Sequence, residues 1–375
     1  MINNERLLNE FFKLQAFDSI SFHENEILDY VYNTLKDLGL KVEVDNAGEI
    51  LAKENNLDNH SKGNIYAYLK GDLDDSILFS AHLDTVSPGI GKKVILENGL
   101  IKSDGTTVLG ADDVAGLASI IEAIRVIKEK GLRHNDIELL IPIAEEPYCQ
   151  GTRHFDFNKI KSKKAYVLDL DGQVGKAAIK APSIISFTIE IFGRSAHAGF
   201  SPEDGINAVT ILGNALSKIK AGRIDENTTL NFGKLYGGIQ RNSVPDYVNI
   251  IGEIRSLDSN KAQSLMNDVI DIFNKEAKAI AGDVKVSFKE EIKAYSVSAE
   301  SSVVKKYQDI LTSLGLGEAS LVTTFGGSDN NNINKNGIEG IVISNGMNKV
   351  HTTEEYIAVD DLYKTSEIVL NLMIK

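Results

Sequence analysis

Apolar residues recur at helical spacing through the first forty positions. Leu7, Leu8, Phe11, Phe12 and Leu14 outline one helix, and Ile27, Leu28, Val31 and Leu35 outline a second. Ser21 stands three residues before Glu24, the spacing of a capping box at the start of that second helix. Gly39 ends it, and Val42 and Val44 open a strand region. Four later segments share another shape, a short apolar run that stops at an acidic residue or a histidine. They are 77–81 before His82, 137–144 before Glu145-Glu146, 165–168 before Asp169, and 341–343 a few residues before His351. Unbroken apolar runs predict strands buried on both faces, as in an α/β sheet. Between the first two lies a predicted helix over 113–130, with Leu117, Ile120, Ile121, Ile124 and Ile127 on one side. Open α/β sheets place their sites at the carboxyl ends of strands, where these polar residues fall.

The stretch 183–292 has a different rhythm. Ile185, Phe187, Ile189 and Ile191 alternate as in a half-buried strand. A helix over 205–220, strands near 230–235 and 247–257, a helix over 262–280 and a strand holding Val284, Val286 and Phe288 complete a β-α-β-β-α-β order. That is the ferredoxin-like split unit. The apolar runs before His82 and before His351 flank it, so it reads as an insertion. The expected organisation is a discontinuous domain, 1–182 and 293–375, interrupted by a second at 183–292.

Composition narrows the function. A chain of 375 residues suits two domains at roughly 150 residues each. There are 40 Lys+Arg against 53 Asp+Glu, a formal charge of −13, which disfavours phosphate backbones and anionic lipid as partners. The single cysteine, Cys149, excludes an internal disulfide framework and a cysteine-rich zinc site. The first residues, MINNERLLNEFFKLQ, lack the basic-then-apolar pattern of a signal peptide, and no apolar run reaches the ~20 residues of a membrane span. A cytoplasmic protein that binds neither nucleic acid nor membrane is expected.

The polar residues after the predicted strands carry the chemistry. In Ala81-His82-Leu83-Asp84, strand geometry puts His82 and Asp84 on one face, where the carboxylate can hold one imidazole nitrogen and leave the other for a metal. A hydrogen-bonded histidine at a strand end fits the same residues. Asp112-Asp113 before a long helix can cap it, or can set an oxygen pair between two cations. Glu145-Glu146 at the end of a buried run would repel each other without a nearby cation. One can ligate while the other acts as a base, because neighbouring side chains diverge. Asp169 and Asp171 repeat the theme. Two histidines and at least three carboxylates at one sheet edge suit zinc, manganese or cobalt. A pair of such ions acidifies water and polarises a carbonyl, so amide hydrolysis is the natural reaction class.

These residues resemble the co-catalytic zinc exopeptidase family, the group that includes peptidase T, carboxypeptidase G and aminoacylase. The motifs run from Ser-Phe-His-Glu-Asn-Glu (21–26) through Ala-His-Leu-Asp-Thr-Val, Leu-Gly-Ala-Asp-Asp and the Glu-Glu pair to His-Thr-Thr-Glu-Glu-Tyr (351–356). The resemblance is strongest to peptidase T-like tripeptide aminopeptidases. It implies an α/β/α catalytic domain with an inserted ferredoxin-like lid that closes on substrate. It implies two Zn²⁺ (Co²⁺ or Mn²⁺ as substitutes), with His82, Asp112, Glu146, Asp169 and His351 as ligands and Asp112 bridging. His82 and Asp169 would complete one site, and Glu146 and His351 the other. Asp84 would orient His82, Glu145 would be the general base, and a cis peptide would follow Asp112. In the lid, His197 of Gly-Arg-Ser-Ala-His-Ala-Gly would stabilise an oxyanion, in some family members from a partner subunit. Asn242, Arg255 and Gly327 would bind substrate, and the lid is a candidate dimerisation surface.

The chain departs from the family's pattern at three places. Phe325 stands where peptidase T has an arginine, Pro147-Tyr148-Cys149-Gln150-Gly151 replaces a Gly-Leu-type turn, and Asp169-Leu170-Asp171 offers two choices for the last ligand. Asp169, nearest the strand end, is preferred. The expected function is metal-dependent hydrolysis of the N-terminal bond of short peptides, tripeptides foremost. The alternatives are a deacylase or carboxypeptidase of the same family, or a non-catalytic metal-dependent binding protein.

Overall fold

The computed structural model describes residues 1–375. Its chain contacts divide it into two units, Met1–Lys180 with Ser296–Thr324 and Ser328–Lys375, and Ala181–Tyr295 with Phe325–Gly327.

In the first unit the four apolar runs become neighbouring parallel strands. Asp136–Ile141, Ser76–Ser80, Lys164–Leu170 and Glu339–Ser344 lie side by side in that order. Ile77, Leu78, Phe79, Leu139, Leu140, Val167, Leu168 and Ile341 are buried to within 1%. Each such side chain contributes about 1.5–3 kcal/mol, which is why these strands occupy the middle of the sheet. Ile65–Leu69 and Lys41–Val44 extend one edge antiparallel, and Lys176–Ala181 extends the other.

The helix Ala111–Lys130 is buried on nearly every side, more than its single predicted stripe suggests. Asn4–Gln15 and Val359–Ile374 both pack against it, and on the sheet side a Cβ on Gly116 would meet Leu168 Cβ at 2.7 Å. Beyond its first turn, its buried acid Glu122 is held by Arg6 at 2.7 and 2.9 Å. The helix is interrupted at its start. Asp112 and Asp113 have non-helical angles, and the peptide between them is cis, as the resemblance implies.

Two features were not legible in the pattern. A small antiparallel sheet joins Met347–Asn348, Tyr356–Ala358, Leu100–Ser103 and Val94–Glu97, and the turn between its first two strands carries His351 and Glu355. The capping box at Ser21 and Glu24 is absent. The helix Asn25–Asp37 has no side-chain cap, and the two residues are drawn instead to Asp84 and Ala144. Long-range acceptors and donors outcompete the local cap there.

The second unit is an antiparallel sheet with Asp283–Ile292, Ser183–Phe192, Tyr247–Ser256 and Thr228–Gly237 in spatial order, and the short strand Gly222–Asp225 at the Thr228 end. Helices Ala208–Leu216 and Ser259–Ala279 cover one face, over a core of Ile185, Phe187, Ile189, Ile191, Ile250, Ile254, Met266 and Phe273. The first helix is shorter than its predicted 205–220 because Asn207 accepts from Val209 N and Thr210 N and starts it there. The expected β-α-β-β-α-β order is present with one unexpected strand, Gly222–Asp225, added after the first helix.

Candidate metal centre

His82 follows the strand Ser76–Ser80 and is 2% exposed. Its Nδ1 lies 2.9 Å from the carbonyl oxygen of Asp84. A carbonyl only accepts, so Nδ1 carries a proton, and in the neutral ring Nε2 presents a lone pair. That lone pair faces Asp112 Oδ1 at 3.1 Å and Asp169 Oδ1 at 3.9 Å. Three potential ligand atoms converge with no lysine or arginine among them.

The other half of Asp112 repeats the arrangement. His351 Nε2 stands 3.2 Å from Asp112 Oδ2 and 3.0 Å from Glu146 Oε2. Asp112 thus turns one oxygen to His82 and Asp169 and the other to His351 and Glu146. Glu145 falls on the first side, grouped with His82 and Asp169, and its Oε1 lies 3.2 Å from Cys149 Sγ. Asp169 contributes to this cluster from the strand Lys164–Leu170, while Asp171 is exposed to solvent.

The electrostatics match this crowding. Burial pushes the carboxyls of Asp169 and Glu145 well above the ordinary range, helped by Asp112 and Glu145 for the former and by Asp329 and Glu146 for the latter. Burial also raises Glu146, against the pull of His351. Against burial, His351 and His82 hold Asp112 below the ordinary range. Against burial, Asp112 and Asp84 raise His82 well above it. Asp112 and Glu146 raise His351 to about 10. Without a cation, the cluster compensates by holding protons.

The backbone around these side chains is fixed by further carboxylates. Asp84 Oδ1 accepts from Glu145 N at 2.9 Å and Oδ2 from Glu146 N at 3.1 Å, with Ser21 Oγ donating to Oδ2 at 2.7 Å. Its Oδ1 lies 3.6 Å from His82 Nδ1, beyond hydrogen-bond range. Asp84 therefore orients His82 through its carbonyl and spends its carboxylate on the Glu-Glu turn. Glu24, fully buried, accepts from Ala144 N at 2.8 Å. Three successive amides thus end on two carboxylates, and Ala144 at the start of this turn sits at φ +47°. Glu355 accepts from Gly110 N and Asp112 N on the other side of the cluster. Asn345 bridges Asp113 Oδ1 and Leu168 O, at 2.9 and 2.8 Å. Sequence reasoning missed Glu24 as a site residue, Glu355, and Asn345. The only available signal was the adjacency of Glu355 to His351 and of Glu24 to Ser21.

The remaining sequence candidates lie in the second unit. His197 is exposed, stacks on Phe200 at 4.3 Å, and accepts at Nδ1 from Gly199 N and Phe200 N at 3.2 and 3.1 Å. Its proton therefore resides on Nε2, which is left to donate. Asn242 is beside it, its carbonyl taking Ala198 N at 3.0 Å. The Arg255 guanidinium is already occupied, donating to both oxygens of Glu253 at 2.8 and 3.1 Å and to Phe325 O at 2.8 Å. A Cβ on Gly327 would meet Ile292 Cδ1 at 2.0 Å, so a larger residue there would have to displace the tip of Ile292.

The donor set fits divalent cations on observations of the cluster itself. Glu146 Oε1 is buried with no hydrogen-bond partner. The lone pair of His82 points at carboxylate oxygens, an arrangement that needs positive charge between them. Imidazole nitrogen and carboxylate oxygen in this number suit borderline divalent ions. An α/β sheet carrying such a paired cluster at its carboxyl edge defines a class, the two-cation metallohydrolases.

Comparison with known proteins narrows the class. A peptidase dimerisation domain model of the M20 type matches residues 179–281, and a peptidase family M28 model matches residues 64–211. Aminopeptidase PepT from Bacillus cereus ATCC 10987 is 38% identical, with 99% of this chain and 98% of that one covered at a TM-score of 0.90. A tripeptidase from Staphylococcus aureus Mu50 is 33% identical, with 100% and 98% covered at 0.92. Peptidase T from Clostridium perfringens SM101 is 27% identical over 83% of this chain and 85% of its own length. The chain belongs to the M20 metallopeptidase family, in its peptidase T-like branch. No helix is long and apolar enough to cross a membrane.

Proposed function

We propose that this protein is a cytoplasmic dinuclear zinc aminopeptidase that removes the N-terminal residue from short peptides, tripeptides foremost. The observation that carries the reading is the division of Asp112, one oxygen toward His82 and Asp169 and the other toward His351 and Glu146. The names of the PepT and tripeptidase relatives, similar over nearly the full chain, support the choice of substrate.

His82, Asp112 and Asp169 would hold one cation, and Asp112, Glu146 and His351 the other. Bound there, a cation pair supplies the positive charge that acidifies water and polarises the scissile carbonyl. Glu145 takes the proton from the attacking water and returns it to the departing amine. Its place beside His82 and Asp169, buried from bulk solvent, suits that exchange. Asp84 and Glu24, through three consecutive amides, hold the turn that aims Glu145. His197, with a free Nε2–H, is the proposed donor to the oxyanion. Asn242 and Arg255 are proposed substrate anchors; Arg255 would exchange Glu253 for a peptide carboxylate. We also propose a homodimer through the inserted unit. The match to the dimerisation-domain model supports it, as do the exposed Leu235, Tyr236 and Ile239 near the open half of the Thr228–Gly237 edge strand.

One tripeptide offered with free, acetylated and amidated ends tests the reading. Hydrolysis that requires a free amino terminus is expected. Cleavage of only the acetylated form would make the protein a deacylase, and release of the C-terminal residue would make it a carboxypeptidase.

A further inference from the structure

Glu355 is 1% exposed and belongs to neither of the histidine-carboxylate groups that could hold a cation. Both of its oxygens are spent on main-chain amides: Oε2 accepts from Gly110 N at 2.7 Å and Oε1 from Asp112 N at 3.1 Å. Burying a carboxylate beside Asp112 is costly, and two amides could be satisfied more cheaply by neutral groups. The position of Glu355 suggests what the charge achieves. It lies four residues after His351 in the turn between Met347–Asn348 and Tyr356–Ala358, and its own N–H donates to Thr352 O at 3.2 Å. Gly110, with φ at +76°, and Asp112 form the turn that leads into the helix Ala111–Lys130. A single side chain therefore ties the turn bearing His351 to the turn bearing Asp112, across more than 240 residues of sequence.

The two halves of the cluster depend on this tie unequally. His82 and Asp169 issue from neighbouring strands, Ser76–Ser80 and Lys164–Leu170, whose spacing the parallel ladder sets. His351 stands outside that sheet, half-exposed, on a turn at φ +62°. Its 3.2 Å approach to Asp112 Oδ2 needs another constraint. We propose that Glu355 is a positioning residue for the cation site of Asp112, Glu146 and His351, setting the distance between His351 and Asp112 through the main chain. The inference rests on reading the cluster as a two-cation site.

Equilibrium titration of metal-free protein with cobalt(II), followed by calorimetry and by the visible absorption of the bound ion, tests both. Wild type should take up two ions. Glu355→Gln replaces one acceptor by an NH₂ that faces an N–H, and one of the two sites should weaken about 10–100-fold while the other stays within threefold. Glu355→Asp, which keeps the charge on a shorter arm, should lie between wild type and Glu355→Gln; if the glutamine variant does not fold, the aspartate variant carries the same comparison. Two sites of unchanged affinity in the variants would overturn the inference alone. So would an equal weakening of both sites together with a lower melting temperature of the metal-free protein, the mark of a purely structural role. A wild type that takes up no cobalt would overturn the two-cation reading and the inference with it.

Discussion

Removing metal should reverse the pH dependence of stability. In the metal-free protein, burial and then Asp112 raise Glu355 from 4.5 to about 7, and burial and then Asp84 raise Glu24 from 4.5 to about 8. Below pH 4.5 such a carboxyl is neutral whether the chain is folded or not, and it carries no penalty. Between pH 4.5 and 8 the folded chain holds protons that the unfolded chain has released, so stability falls as pH rises. His351, raised to about 10 by Asp112 and Glu146, contributes stability that is full below 6.5 and is lost toward 10, the same direction. Asp112, held below the ordinary range, acts oppositely only under about pH 4. For Glu355 alone, the rise from 4.5 to about 7 corresponds to about 3 kcal/mol of lost stability once it is fully ionised. On a unit the size of the first one, that is about 6 °C in melting temperature. Cations need the deprotonated ligands, so their stabilisation grows over the same interval, at about 2.7 kcal/mol per site when present at a hundredfold their dissociation constant. Scanning calorimetry at pH 5.5 and 8.0, with chelator and with excess zinc, should show the metal-free melting temperature falling with pH and the metal-loaded one level or rising. A metal-free protein that is more stable at pH 8.0, or an equal zinc effect at both values, would refute the reasoning.

Three further outcomes follow from the geometry. Glu145→Gln should keep both cations yet lose about 10²–10⁴-fold in kcat, read from metal content and peptide turnover together; near-normal turnover would remove Glu145 as the base. Asp169→Ala should lose metal while Asp171→Ala should not, because only Asp169 approaches His82, and the reverse result by metal analysis would exchange the two. His197→Ala should lower kcat about 10²–10³-fold with metal content unchanged, as expected for loss of an oxyanion donor; a change confined to KM would make it a binding residue instead.

The formal charge of −13 looks different with the cluster in view. A substantial part of the acidic excess is buried at one sheet edge, in Asp112, Asp169, Glu145 and Glu146 and in the carboxylates that hold their backbone. Two divalent ions would bring the net charge to about −9, before any bound hydroxide is counted. The rest is an ordinary solvated surface.

The local sequence determined a good deal. Unbroken apolar runs marked the central strands, because only a strand covered on both faces tolerates them. Alternation marked the strand Ser183–Phe192 for the opposite reason, one face of its sheet being covered by helices. The polar residues after the strands were readable as two histidines and several carboxylates at one sheet edge, since strand ends converge whatever the loops between them do, and the family resemblance singled out His82, Asp112, Glu145, Glu146, Asp169 and His351 among them. Only the tertiary structure decided how those residues are held. Ser21 and Glu24 have the spacing of a local cap, yet they serve Asp84 and Ala144 far along the chain, and Asp84 gives its carbonyl to His82 and its carboxylate to two amides. Asn330, Asn331 and Asn332 look like an idle polar run and are buried, with Asn332 bonded to Thr152 and Cys149 O, and Asn330 to Gly340 O. Glu355 lies inside the 351–356 motif, but nothing in that motif says which distant amides it serves. A hydrogen bond to a main-chain amide leaves no periodicity and asks nothing of the side chain at the other end. Residues that work through the backbone of distant segments therefore become visible only when the chain is folded.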